Sequence, residues 1–120
     1  MTKGQIEAKI SETVTKFEIN IMGRGPKQIN TIIIQDLVII RLKGFFSISE
    51  KRLAENESGI ELLKKVRSRL FENEADHFKK LIEDIIGVDI ISIYSDVSTR
   101  TGEKIIVLTV NEDLEKKYQK

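Results

Sequence analysis

The chain has 120 residues, of which 40% are hydrophobic and 32% are charged, as expected for one globular domain with a single core. Its formal net charge is +1, so composition indicates no general preference for nucleic acid or for anionic lipid. There are no cysteines, which excludes disulfides, cysteine-ligated zinc and thiol catalysis. No segment reaches the roughly 20 apolar residues of a membrane span. We therefore predict a cytoplasmic protein without direct membrane insertion, forming a single domain over residues 1–120.

The N-terminal segment predicts an amphipathic helix over residues 2–22. Ile6, Ile10, Val14 and Phe17 recur at helical spacing, and charges of both signs lie between them. The mixed signs favour packing on a core over binding to an anionic membrane surface.

A glycine-rich loop, Gly23-Arg24-Gly25-Pro26-Lys27, follows this helix. Gly23 suits a left-handed cap, and Pro26 prevents the helix from resuming. The loop is either a plain helix-to-strand connection or an anion site, in which exposed backbone N–H groups act together with Arg24 and Lys27. It is not a P-loop, because the Lys-Ser/Thr ending and the preceding strand are missing.

The segment INTIIIQDLVIIRLKG, residues 29–44, predicts a tight antiparallel hairpin with Gln35-Asp36 as its turn. Paired residues point to the same side of a hairpin, so one face would carry Ile32, Ile34, Leu37 and Ile39 and end in Arg41 and Lys43. The other face is apolar as well, so both faces need a cover. The expected pairs are Ile34 with Leu37, Ile33 with Val38, Ile32 with Ile39 and Thr31 with Ile40.

Helices are predicted to follow. Ser47 and Glu50 form a capping-box pattern before a short helix over residues 49–55. A longer helical pattern covers residues 58–86, either continuous or kinked near residues 73–76, and Gly87 suits its C-terminal cap. The lone histidine of the chain, His77, lies in this pattern, and we interpret it as a solvent-exposed helical residue.

A second hairpin is predicted from strands over residues 88–97 and 104–110, and a short charged helix over residues 114–120 ends the chain. The turn between the strands is rich in hydroxyl groups. Its side chains either satisfy nearby backbone amides or line a polar pocket together with Arg100 or Arg24. The residues concerned are Asp96, Ser98, Thr99 and Thr101.

The order of elements predicts an α+β fold with a four-stranded, mainly antiparallel sheet built from two β-hairpins. The long helix and the N-terminal helix would pack on this sheet. The first helix could cover the face that the long helix leaves open, and a second copy of the chain is the competing cover.

Three motifs together resemble the MpsC-type domain family, a domain of unknown function named for a Na⁺-translocating membrane-potential-generating system. They are Gly23-Arg24-Gly25-Pro26, the segment 38–44 and the segment 95–103. The resemblance implies a small cytoplasmic bacterial protein linked with membrane modules for ion translocation and inorganic-carbon uptake. It implies no catalytic residues. The Gln35-Asp36 turn departs from the Gly-Asp expected of the family, which leaves the turn geometry open.

Two functional hypotheses follow. The first is a non-enzymatic accessory protein, expected to be homodimeric, serving a membrane ion-translocating or bicarbonate-uptake system without a cofactor. The second is a regulatory domain that binds a small anion. Nucleic-acid binding is disfavoured because acidic residues interrupt the basic stretch on the long helix. Enzyme activity has the least support, because no base lies near the Ser98 and Thr99 hydroxyl groups in sequence. Asp96 and Glu103 could be paired carboxylates across the turn, and their separation, on which acid–base catalysis depends, is left open by the sequence. The candidate anion-binding residues are Arg24, Lys27, Arg41, Asp96, Ser98, Thr99, Arg100 and Thr101.

Overall fold

A computed structural model of the chain describes residues 1–44 and 46–119. The helices are α1 (Lys3–Met22), α2 (Ile48–Leu53), α3 (Glu57–Asn73), α4 (Ala75–Ile86) and α5 (Leu114–Lys117), and the strands are β1 (Gln28–Ile34), β2 (Leu37–Lys43), β3 (Ile90–Ser98) and β4 (Glu103–Val110). The strands form a four-stranded antiparallel sheet in the order β1-β2-β4-β3, with helices packed against it. The predicted α+β class is confirmed.

The first hairpin has the predicted two-residue turn and the predicted register, from the Ile34–Leu37 pair onwards. Gln35 adopts a left-handed conformation with φ of 55°, which is unfavourable for a residue other than glycine. The C-terminal segment holds this turn in place. The Gln35 N–H donates to the Glu115 carboxylate at 2.7 Å, and the Gln35 carbonyl accepts from the Leu114 N–H at 2.8 Å.

Helix α1 packs on the same face of the sheet as α4, so the prediction that it could cover the opposite face is wrong. The Ser11 and Thr31 hydroxyls are 2.7 Å apart, and Thr31 shares its face with the buried Ile33 and Ile40. The apolar stripe of α1 also contacts α4, because the Phe17 and Phe78 rings lie 5.0 Å apart. We call this covered side the inner face.

The long helical pattern is two helices, with a break at Glu74. The glycines predicted as helix caps, Gly23 and Gly87, have φ of 80° and 71°, and the Ser47 capping box is present. The last helix ends at Lys117, and the predicted end at Lys120 lies outside the described residues.

The second hairpin is also antiparallel, but β3 begins at Ile90, two residues later than predicted, with an irregularity between Ile90 and Ser92. Buried apolar side chains of α1, α3, α4 and the inner face form one core cluster. Each fully buried aliphatic or aromatic side chain contributes about 1.5–3 kcal/mol, so this shared layer fixes the helices on the inner face.

Candidate functional site

The predicted anion-site residues lie at one end of the sheet, where Arg24 and Lys27 precede the edge strand β1, Arg41 is on the inner strand β2, and residues 96–101 end the other edge strand, β3, and follow it. The loop 23–27 leads into β1, whereas the turn 99–102 leaves β3. Strands β2 and β4 separate them, which places the two edges about 14 Å apart. The sheet therefore divides the predicted residues into two groups.

The basic group lies beside the start of β1. The Lys27 N–H donates to the Lys43 carbonyl at 2.9 Å, and both side chains line a shallow depression of about 440 Å³ together with Arg41. The Arg41 guanidinium contacts one Glu103 carboxylate oxygen through Nη2 and Nε, at 2.7 and 2.8 Å. Arg24 is exposed at the end of α1. An anion bound beside β1 would contact these cations, of which Arg41 is already paired with Glu103.

The second group is a turn that largely satisfies itself. The Asp96 carboxylate accepts the Val97 N–H at 2.8 Å and lies 3.2 Å from the Lys64 ammonium. The Val97 N–H has the largest effect and lowers the pKa of Asp96; burial, which comes second, opposes it, and Lys64 lowers the pKa further. The Ser98 hydroxyl accepts the Thr101 N–H at 3.3 Å. Thr99 and Arg100 lie between these residues. A carboxylate held in this way repels an anion, so any anion site would have to form on the basic side.

His77 is exposed on α4, as predicted, and its Nδ1 lies 3.7 Å from the Glu74 carboxylate. In the part of the chain that the structure describes, no group of three or more His, Asp or Glu side chains is placed to hold a metal ion.

A buried charge cluster, which sequence reasoning missed, lies between α1, α3 and β4. The Lys104 ammonium is 3.1 Å from Glu18 and 4.7 Å from the centre of the Phe71 ring. The Arg67 guanidinium is 2.6 Å from Glu50, and all these charged side chains except that of Glu50 are buried. Two signals were available. Glu18 lies four residues after Val14 in the apolar stripe of α1, and Lys104 alternates with Ile106 and Leu108 on β4.

The opposite side of the sheet is an apolar surface that none of the described helices covers; we call it the outer face. Ile32, Ile34 and Tyr94 on this face are 48%, 44% and 59% exposed. The register places its residues in four rows across β1, β2, β4 and β3. The rows are Ile34–Leu37–Thr109–Ser92, Ile32–Ile39–Val107–Tyr94, Asn30–Arg41–Ile105–Asp96 and Gln28–Lys43–Glu103–Ser98.

The outer face has an apolar end and a charged end. Its first two rows carry five aliphatic side chains and Tyr94 beside the hydroxyl groups of Thr109 and Ser92, and its last two rows carry the charges. Contiguous exposed apolar surface is typical of interaction sites on soluble proteins. The β1–β2 part of the face was predicted from the alternation in residues 29–44, whereas the contribution of the second hairpin depends on the pairing of β2 with β4.

Comparison with known proteins matches residues 2–112 to the family model described as "Na+-translocating membrane potential-generating system (MpsC)". The chain belongs to the MpsC family. Two relatives of Bacillus subtilis (strain 168) are described as uncharacterized. The chain is 35% identical to YbcI over 99% of its own length and 96% of the relative, and 19% identical to YrhF over 92% of each. No solved structure matches.

Within the described residues, no helix of this MpsC-family chain is long and apolar enough to cross a membrane.

Proposed function

We propose that this chain is a non-enzymatic, cytoplasmic accessory protein of a membrane ion-translocating or bicarbonate-uptake system, and that it acts as a homodimer. The observation that carries the proposal is the outer face, because an apolar sheet surface left uncovered by its own chain is suited to binding another protein. The family description supports the connection with Na⁺ translocation and membrane potential. The link to bicarbonate rests on the family resemblance alone.

The polar groups of the fold favour binding over catalysis. Glu18 and Lys104 neutralise each other inside the core, as do Glu50 and Arg67. Asp96 is paired with Lys64 on the surface. General acid–base catalysis needs a titratable group within reach of a substrate, and these groups contact one another instead.

Deletion of the chain from its source organism tests the proposal. The Na⁺-dependent membrane potential, followed with a potential-sensitive dye, and the uptake of labelled bicarbonate should be measured with and without a plasmid-borne copy. We expect at least one of them to fall in the deletion strain and to recover with the plasmid. If both are unchanged, the accessory role is wrong.

Physical association needs a separate experiment. In-cell crosslinking of the tagged chain should recover a membrane ion-translocating or inorganic-carbon uptake subunit, identified by mass spectrometry. An equally tagged unrelated soluble protein serves as the control. Recovery of the same subunit with both baits would count against a specific association.

The alternative is a small-anion regulatory domain, favoured by the grouping of Lys27, Arg41 and Lys43 around one depression. It predicts that inorganic phosphate or bicarbonate raises the melting temperature, because a ligand that binds only the folded state stabilises it. The shift should disappear in Lys27→Ala, which removes a cation lining the depression, and persist in Lys79→Ala, a control on α4. An unchanged shift in Lys27→Ala would refute this site, and an unchanged shift in Arg24→Ala would remove Arg24 from it.

A further inference from the structure

The outer face carries its charges in a pattern that a second copy of itself can complement. Arg41 and Lys43 are its cations and both lie on β2. Glu103 lies on β4 and Asp96 on β3. The basic half of the face is thus β1–β2 and the acidic half is β4–β3, with the dividing line midway between β2 and β4.

From this pattern we infer that the outer face binds the outer face of a second copy, about a two-fold axis that runs along the strands between β2 and β4. The inference deepens the homodimer part of the proposed function by naming the partner surface and its symmetry. Rotation about this axis exchanges β2 with β4 and β1 with β3. Lys43 then faces Glu103 of the second copy, and Asn30 faces its Asp96. Arg41 faces Ile105 of the second copy and keeps its ion pair with Glu103 of its own chain.

The same rotation joins the apolar ends of the two faces. Ile39 faces Val107 of the second copy, and Tyr94 faces its Ile32, so apolar side chains that are exposed in the monomer are covered by those of the second copy. Two stacked sheets pack about 10 Å apart with strand directions within about 30° of each other, a geometry in which such side chains interdigitate.

The other in-plane axis, perpendicular to the strands, is disfavoured by desolvation. It would lay the row containing Lys43 and Glu103 over the row containing Ile34 and Leu37. The charged groups would then lose water without gaining a partner of opposite sign, which is unfavourable.

Pairing between strand edges is also disfavoured, because side chains of the same chain already contact both edges. The Ile33 N–H on β1 donates to Glu7 at 2.8 Å, and the Ile90 N–H on β3 donates to Glu83 at 2.8 Å. Such contacts occupy groups that an added strand would need. The remaining apolar surface of the sheet is its outer face.

The size of the outer face limits how tightly two copies bind. Four strands about 4.8 Å apart, with seven residues rising about 3.3 Å each, cover roughly 440 Å² in plan on each copy. The two copies together would bury about 880 Å², which is below the roughly 1,200 Å² of stable specific interfaces and in the range of weak, transient ones. The dimer should therefore be reversible, with a dissociation constant on the order of micromolar to tens of micromolar.

Charge reversal tests both the surface and the axis. Lys43→Glu places two carboxylates against each other at both symmetry-related contacts, and Glu103→Lys does the same with two ammonium groups. Each variant alone should dimerise at least about tenfold more weakly than the wild type, because like charges facing each other oppose association. A mixture of the two variants should form a heterodimer, in which both contacts again join opposite charges.

The measurement is the molar mass, by light scattering or sedimentation, at protein concentrations from about 1 to about 100 μM. Circular dichroism checks that each variant is folded. Tyr94→Arg should weaken the dimer, whereas the matched control Leu62→Arg, at an exposed apolar position on α3, should not. Recovery of dimers on mixing Lys43→Glu with Glu103→Lys also shows that both variants are folded.

Three results would overturn the inference. A wild-type chain that stays monomeric at about 100 μM has no such dimer. A dimer weakened by Leu62→Arg but not by Tyr94→Arg uses α3 instead. Charge variants that remain monomeric when mixed exclude the proposed axis. None of these results bears on the deletion experiment, so a failed dimer and a failed accessory role are distinguishable.

Discussion

Removing the carboxylate of Glu18 should destabilise the fold strongly, because Lys104 would remain as an unpaired cation inside the core. The side chains of Lys104 and Glu18 are 7% and 5% exposed, and their charged atoms lie 3.1 Å apart. At an effective dielectric constant of about 20, this separation corresponds to roughly 5 kcal/mol of attraction. The ring of Phe71 beneath the ammonium retains part of the stabilisation. We therefore expect Glu18→Gln to lower the free energy of unfolding by about 3–5 kcal/mol.

The assay is urea and thermal unfolding followed by circular dichroism. For 120 residues, a loss of about 3 kcal/mol corresponds to a melting temperature lower by about 12 °C. The double variant Glu18→Met/Lys104→Met should recover most of the loss, because apolar side chains of similar size need no partner. Glu12→Gln is the matched control. It breaks an exposed ion pair with Lys16 on the same helix and should leave the midpoint unchanged.

The same pair makes a prediction about pH. Burial lowers the pKa of the Lys104 ammonium below 10.5, although the Glu18 carboxylate opposes this shift. Between the folded-state pKa of Lys104 and its unfolded value of 10.5, the unfolded chain binds more protons than the folded chain. The free energy of unfolding therefore rises with pH between these two pKa values. Lys104→Met should remove this rise. The reasoning fails if the free energy of unfolding of Glu18→Gln is within about 1 kcal/mol of the wild-type value. It also fails if the loss in the double variant equals the sum of the losses in the two single variants.

Other substitutions test local features of the fold. Gly59→Ala should lower the free energy of unfolding by about 1–3 kcal/mol in urea, because its Cβ would overlap the Leu53 carbonyl oxygen; unchanged stability would contradict this close approach. Gln35→Gly should raise the free energy of unfolding by about 0.5–1 kcal/mol, since φ is 55° at this position. A lower urea midpoint would show that contacts of the glutamine side chain outweigh the backbone strain. Asp96→Asn should reduce the stability lost in acid titrations. The Val97 N–H lowers the pKa of Asp96 below 3.8, so its stabilisation is complete above that pH and is lost as pH falls through the folded value; an identical acid limb would refute this.

The candidate interface could be predicted only in part. The alternation in residues 29–44 is enough to place Arg41 and the apolar side chains of β1 and β2 on one face. The other half of the face depends on β4 lying beside β2, a pairing that joins residues 60 or more positions apart. The predicted anion site was divided for the same reason, since sequence order does not show that two strands separate Arg24 from Ser98.

The sequence by itself determined the local features of this protein. The helix caps at Gly23, Ser47 and Gly87 and the register of the first hairpin depend on sterics and hydrogen bonds between residues a few positions apart. Tertiary structure decided the side of the sheet on which α1 lies and the burial of Glu18 against Lys104. Those outcomes depend on how complete elements share one core, and this competition for buried surface involves the whole chain at once.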